Sequence, residues 1–228
     1  MILILRGHIR DSFNNTKLYD LVKDIVNIEP NINIYIHTWN IFANSLSWRP
    51  YKADEREITE GIIYDYFKDL KDLIKHIIID DDKNIQLIGN VDGKILGLAN
   101  SLRGWKNYIY GKYKIIDYIY NKYENKNEMV INCRFDVLDN SCSISNKEII
   151  TFIQQNTTSN FNKNIFLKNR EVSGVDNFYI GNIKTIYKLT KYFNFDLDKI
   201  LKENIKKCFP EILWYRVNLL LDYEKSSY

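Results

Sequence analysis

Four short apolar runs limit how this chain can fold. Residues 2–5 (ILIL), 32–36 (INIYI), 77–79 (III) and 129–132 (MVIN) are each too short for a helix, and helical patterns separate them. The first run is continuous and stops before Gly7, which is the pattern of a strand covered on both faces. Residues 17–26 then place Leu18, Leu21, Val22, Ile25 and Val26 at helical spacing, Pro30 ends that pattern, and INIYI resumes as a strand. Strand, helix and strand at this length make a βαβ unit, since parallel neighbours need a crossover of this kind. The chain reads as α/β.

Beyond the first unit the pattern is less regular. Segment 40–59, with Trp48, Arg49 and Pro50 at its centre, has no clear period, and about 20 such residues predict a functional or mobile loop. Helices are expected over 62–75 and 99–120. The second of these is rich in aromatics (Trp105, Tyr108, Tyr110, Tyr113, Tyr118) that read as packing residues rather than a base-stacking ladder. Ser145 and Glu148 have capping-box spacing at the start of another helix. Strands follow at 164–168 and 178–180, then helices at 183–193, 197–208 and 211–223. With no internal repeat and no separating linker, residues 1–228 are expected to form a single domain that ends in helices.

Composition excludes several function classes. The 32 basic and 29 acidic residues leave a net charge of +3, so no global field calls for nucleic acid or an anionic membrane. Any anion site must be local. Cys133, Cys142 and Cys208 are odd in number and widely spaced, which argues against a disulfide framework or a zinc site and for free buried thiols. No signal peptide is evident, because Arg6, His8 and Arg10 interrupt the N-terminal apolar run. No stretch approaches the ~18 apolar residues of a membrane span. A cytoplasmic protein is expected, and a peripheral place at the inner membrane is compatible with this.

Polar clusters stand at three predicted strand ends: Arg6 to Arg10, His37 to Trp39, and Arg134 to Asp136. In an open, mostly parallel sheet, ligands bind where those ends converge. Gly7 lets a ligand approach the backbone, and the guanidiniums of Arg6 and Arg10 suit bidentate phosphate binding, so a phosphate or nucleotide site competes here with a merely solvated strand end. The order RGH transposes the RHG of the histidine phosphatases, which keeps a phosphohistidine mechanism as a minor reading. His37 suits a metal or phosphate ligand, or a structural role. Trp39 suits a nucleobase, a sugar or the core. Asp136 is the first candidate ligand for Mg²⁺ or Mn²⁺, since a hard ion prefers carboxylate oxygen and leaves positions for phosphates. Asp80, Asp81 and Asp82 compete for that role, although such a run also reads as a solvated turn.

Taken in order, ILILRGHIRDSF, INIYIHTWNI, MVINCRFDVL, VSGVDNFYIGN and CFPEILWYRVNLLL resemble a family of bacterial glycosyltransferase-like proteins from surface-polysaccharide gene clusters. Its members carry a strand followed by SGH(I/L)R, an IHTW strand, R-x-D after a central strand, D-(Q/N)-F-x-(F/I)-G, and a late PE before a helix. The matches cover almost the whole chain. They fall on Gly7, His8 and Arg10, on His37, Thr38 and Trp39, on Arg134 and Asp136, on Asp176, Phe178 and Gly181, and on Pro210 and Glu211. Arg6 stands where serine is commoner.

This resemblance implies a GT-A-like, Rossmann-like sheet and transfer of a sugar from a nucleotide-sugar donor to a glycan or lipid-linked glycan in capsule or lipopolysaccharide assembly. It implies a nucleotide-sugar site formed by Arg6, Gly7, His8, Arg10, His37, Thr38, Trp39 and Arg134, with Asp136 on the metal. R-x-D replaces the Asp-x-Asp of many GT-A enzymes, so Arg134 offers a way to neutralise phosphate without an ion. Asp176 is the first candidate for general base and Glu211 the second, the latter also suiting a helix first turn. Segment 40–59 would order over donor or acceptor. Two other classes stay open: a phosphotransferase or phosphohydrolase using Arg6, His8 and Arg10, and a noncatalytic nucleotide-sugar-binding protein.

Overall fold

A computed structural model of the chain describes residues 1–44, 52–95, 101–140, 142, 144–157, 159, 161–168, 174–204 and 210–223. Trp48, Arg49 and Cys208 lie outside them. The predicted βαβ unit is present as β1 (Ile2–Arg6), α1 (Lys17–Ile28) and β2 (Asn33–Trp39). After it come a hairpin of β3 (Ile41–Ala43) and β4 (Asp54–Glu57), α2 (Glu60–Phe67), β5 (Ile74–Asp80), α3 (Leu102–Lys122), β6 (Met129–Arg134) and α4 (Asn146–Asn156). The chain closes with β7 (Ile165–Phe166), β8 (Phe178–Asn182), α5 (Ile183–Asn204) and α6 (Pro210–Leu220).

The main sheet has six strands in the order β5-β2-β1-β6-β8-β7. β5, β2, β1 and β6 run parallel, while β8 pairs antiparallel with both β6 and β7. The fold is therefore α/β with a mixed, mostly parallel sheet flanked by helices. Both faces are covered because every residue of β1 is buried. Leu3, Leu5, Ile34, Ile36 and Ile131 pack with Leu18, Leu21 and Ile63 on the α1, α2 and α4 side. Ile2, Ile4, Tyr35 and Val130 pack with Ile109, Ile116, Ile186 and Trp214 on the α3, α5 and α6 side.

Several expectations need correction. Segment 40–59 is not simply an irregular loop, since it contains the β3–β4 pair. The helix expected over 62–75 ends at Phe67, because Lys68 takes a left-handed backbone (φ +49°) and a 3₁₀ segment, Lys68–Leu73, leads into β5. The helices expected at 183–193 and 197–208 are continuous across a kink at Asp196 up to Asn204. In contrast, α4 opens with the full capping box: Ser145 Oγ accepts from Glu148 N, and the Glu148 carboxylate accepts from Ser145 N. Cys133 is a free, buried thiol, pushed up to about 12 by burial, and Cys142 is also free.

Candidate functional site

The chain path produces a switch point in the sheet. From β1 it adds β2 and then β5 on one side, and α3 then carries it across to β6 on the other side of β1. The carboxyl ends of β1 and β6 therefore stand side by side at this switch point, and the crevice outside such ends is where open parallel sheets bind ligands. Register sets the groups there, with Arg6 directly beside His37 of β2 and Arg134 of β6, and Trp39 beside Asp80 of β5.

Past β1 the chain turns sharply. Gly7 has φ +97°, a left-handed conformation that a side chain would strain. Its N–H donates to His37 O at 3.1 Å, and Thr38 Oγ1 donates to Gly7 O at 3.0 Å, so Thr38 is buried as a clamp on this turn. Arg10 is also left-handed (φ +53°) and sends Nη1 to Asp136 Oδ2 at 2.6 Å. Arg134 meets the same carboxylate as a fork, Nε to Oδ1 and Nη2 to Oδ2, both at 2.8 Å, and gives Nη1 to Asn177 Oδ1 at 3.0 Å. Burial opposes ionisation of Asp136, but the Arg134 and Arg10 guanidiniums outweigh it and hold its carboxyl below its ordinary value. Both Asp136 oxygens thus accept from guanidinium, and a divalent cation there would sit against two positive charges. This donor set does not fit Mg²⁺ or Mn²⁺. Among the described residues no group of three or more His, Cys, Asp or Glu is arranged to hold a metal.

A second layer lies beneath, against α3. Arg6 faces inward and is buried, donating from Nε to Asn132 Oδ1, from Nη1 to Tyr108 OH at 2.7 Å and from Nη2 to Asp176 O at 2.6 Å. The Asp176 carboxylate is buried 3.3 Å from Lys112 Nζ, which in turn lies 3.7 Å from the Trp214 ring centre. Desolvation and then Arg6 push Lys112 well below its ordinary value. Desolvation works against Asp176 too, but Lys112, Arg6 and Arg134 hold its carboxyl low. Because two of those are guanidiniums, its ionised state does not depend on Lys112 alone. Asp176 is accordingly a counter-ion inside the fold, and Arg6 an anchor rather than a group at the crevice surface. Glu211, partly buried, accepts from Gly174 N at 2.7 Å and so fastens the turn that carries Asp176.

The third group is aromatic and acidic. Trp39 is buried, with His8 stacked beside it (ring centres 5.7 Å), Tyr110 stacked beside it (6.2 Å) and His37 edge-on at 5.1 Å. It is a packing centre, not an open platform. His37 Nε2 is 3.2 Å from Asp80 Oδ2, and His8 Nε2 is 4.0 Å from Asp82 Oδ2. Desolvation lowers His8 to about 3, with Arg10 acting in the same direction, and desolvation likewise lowers His37 against the pull of Asp80. Both rings are neutral at pH 7. The acidic run divides: Asp81 caps a turn by accepting from Lys83 N and Asn84 Nδ2, whereas Asp82 is buried and accepts from Asn44.

Gly7, Arg10, Arg134 and Asp136 therefore come together at the crevice, with His8, His37 and Trp39 packed alongside. Arg6, His8 and Arg10 go to three different partners, so they form no single phosphate cradle. Lys112, Tyr108, Asn132 and Asn177 were not anticipated from sequence. Lys112 left one signal there, standing with Ile109 and Ile116 at the 3-4 spacing of an apolar helix stripe.

No family model matches the chain, and no curated protein matches it. Among solved structures, an active-site mutant of LgtC, a glycosyltransferase, matches with a TM-score of 0.43 and 11% identity, over 96% of this chain and 70% of that one. Among the described residues no helix is long and apolar enough to cross a membrane.

Proposed function

We propose that the chain is a glycosyltransferase that moves a sugar from a nucleotide-sugar donor to a hydroxyl of a glycan or lipid-linked glycan, in assembly of a bacterial capsule or lipopolysaccharide. One observation carries this reading. Arg10, in the 3₁₀ turn that follows β1, and Arg134, the last residue of β6, stand on either side of the sheet's switch point and meet at one carboxylate. Cations there face the place where a donor diphosphate would lie, and the ordered resemblance of RGHIR, HTW, RFD and DNFYIGN to surface-polysaccharide transferases supports the same class. In the reaction the bond between the sugar's anomeric carbon and the diphosphate oxygen breaks, and the electron pair stays on that oxygen. The acceptor oxygen forms the new bond and gives up its proton to base or solvent. Guanidiniums fixed beside the leaving oxygen stabilise the charge that develops on it.

A thermal-shift screen of UDP-, GDP- and CDP-linked sugars tests the binding step. A donor at 100 times its Kd stabilises the native state by about 2.7 kcal/mol, a shift of roughly 5–10 °C for a chain of this size. Release of nucleoside diphosphate only when a glycan acceptor is added then tests transfer. No shift with any donor would remove the reading, and binding without release would make the chain a noncatalytic binding protein.

A further inference from the structure

Resting on the donor reading above, we infer that the diphosphate is neutralised by Arg10 and Arg134 without a divalent cation, and that Asp136 is a positioning residue that holds both guanidiniums in place. The observation is the arrangement of burial and charge. The Asp136 side chain is 5% exposed, behind Arg10 at 17% and Arg134 at 21%, so the anion lies at the back and the cations at the front. Two guanidiniums thus meet at one carboxylate and stand nearer the surface than it does, an order that suits an anionic ligand better than a metal ion.

The backbone agrees with this assignment. Arg10 is one of two non-glycine residues with positive φ among the described residues, and such a conformation persists only where surrounding contacts enforce it. The 2.6 Å bond to Asp136 is such a contact. On the other side, Asp136 takes two of Arg134's five N–H donors and Asn177 takes one. That leaves the guanidinium plane fixed with two N–H groups outside these bonds, which is the preorganised donor geometry that phosphate recognition uses. Asp136 Oδ2 already accepts from both guanidiniums and Oδ1 from one, at 2.6–2.8 Å, so a metal ion on the remaining Oδ1 lone pair would lie against two fixed positive charges.

The test measures binding of UDP, GDP and CDP to the full chain by calorimetry, in EDTA and again in Mn²⁺ or Mg²⁺. The nucleotide that binds is expected to do so with the same Kd, within about twofold, in all three conditions, and with a strong dependence on monovalent salt. Asp136→Asn should raise that Kd by about tenfold, the worth of one charge-assisted contact, equally with and without metal. Arg134→Lys should do the same, since a point charge cannot replace the fork. If Asp136→Asn fails to fold, the Arg134→Lys comparison in EDTA and Mn²⁺ still decides. A Kd that rises tenfold or more in EDTA and recovers with Mn²⁺ would overturn the inference while leaving the donor reading intact. Absence of binding by all three nucleotides in every condition would overturn both.

Discussion

Lowering the pH from 7.5 to 5.0 should weaken the fold through its buried histidines. His8 is nearly enclosed, its ring stacked on Trp39, with Arg10, Arg134 and His37 opposing its charge and Asp136 favouring it, and its pKa falls from 6.5 to about 3. Below pH 6.5 the unfolded chain therefore binds a proton at this position that the native state refuses, so stability falls as pH falls. By linkage the loss is 2.303RT for each pH unit in that window, or about 2 kcal/mol for His8 between pH 7.5 and 5.0. His37, lowered for the same reason, adds loss of the same sign, and partly buried His76 shifts in the same direction. Asp136 and Asp176, held below 3.8, surrender their contribution only under more acidic conditions, so this window isolates the histidines. Urea unfolding followed by tryptophan fluorescence should show the midpoint lower at pH 5.0 by roughly 1 M or more, given slopes of about 2–3 kcal/mol/M for a chain of this length. In His8→Gln the drop should shrink by the His8 share. Equal midpoints at the two pH values, or an undiminished drop in the variant, would refute the burial argument.

Other substitutions separate positioning from stability. A Cβ at Gly111 would lie 2.6 Å from His37 Cε1 and Nδ1, so Gly111→Ala should cost about 1–3 kcal/mol in urea unfolding and disturb the His37–Asp80 contact, read as a shifted His37 imidazole resonance. Ser145→Ala removes the α4 capping box, whose bonds stay within Ser145–Glu148, and should cost about 1 kcal/mol with nucleotide affinity unchanged. Asp176→Asn removes the buried carboxylate that faces Lys112 at 3.3 Å and offsets the Arg6 charge, while keeping the main-chain carbonyl that Arg6 bonds, and should destabilise by about 3–5 kcal/mol. Lys112→Met should be milder, because Arg6 and Arg134 still face Asp176; equal losses in a thermal melt would count against that ordering.

What could be read in advance depended on period. β1, α1, β2 and β6 were legible because burial on both faces imposes continuous apolar runs, and a helix with one buried face imposes spacing of three and four. β4 was not, since DERE is polar throughout and its exposed residues give no alternation to detect. The end of α2 was hidden for the opposite reason: Leu70 is buried in the 3₁₀ segment and prolongs a helical-looking stripe past Phe67. At the site, strand ends located the residues but not the directions of their side chains. Alternation resolves part of this, because Arg6 shares the face of Ile2 and Ile4, which α3 and α5 cover, so its charge must enter the protein rather than the crevice. A buried arginine needs an acceptor set, and a lysine on an apolar stripe needs a counter-ion, but period 2 and period 3.6 cannot say which ones. Those partners come from segments more than 60 residues apart in the chain: the pairing of β1 with β6 brings Arg6 to Asn132, and the packing of α3 on the sheet brings Lys112 to Asp176. Asp136 shows the consequence for function. In sequence it is a carboxylate at a strand end and reads as a metal ligand; once Arg10 arrives from the other side of the switch point, the same carboxylate is seen to be held by two guanidiniums, which is what turns the proposal from a metal to an anion.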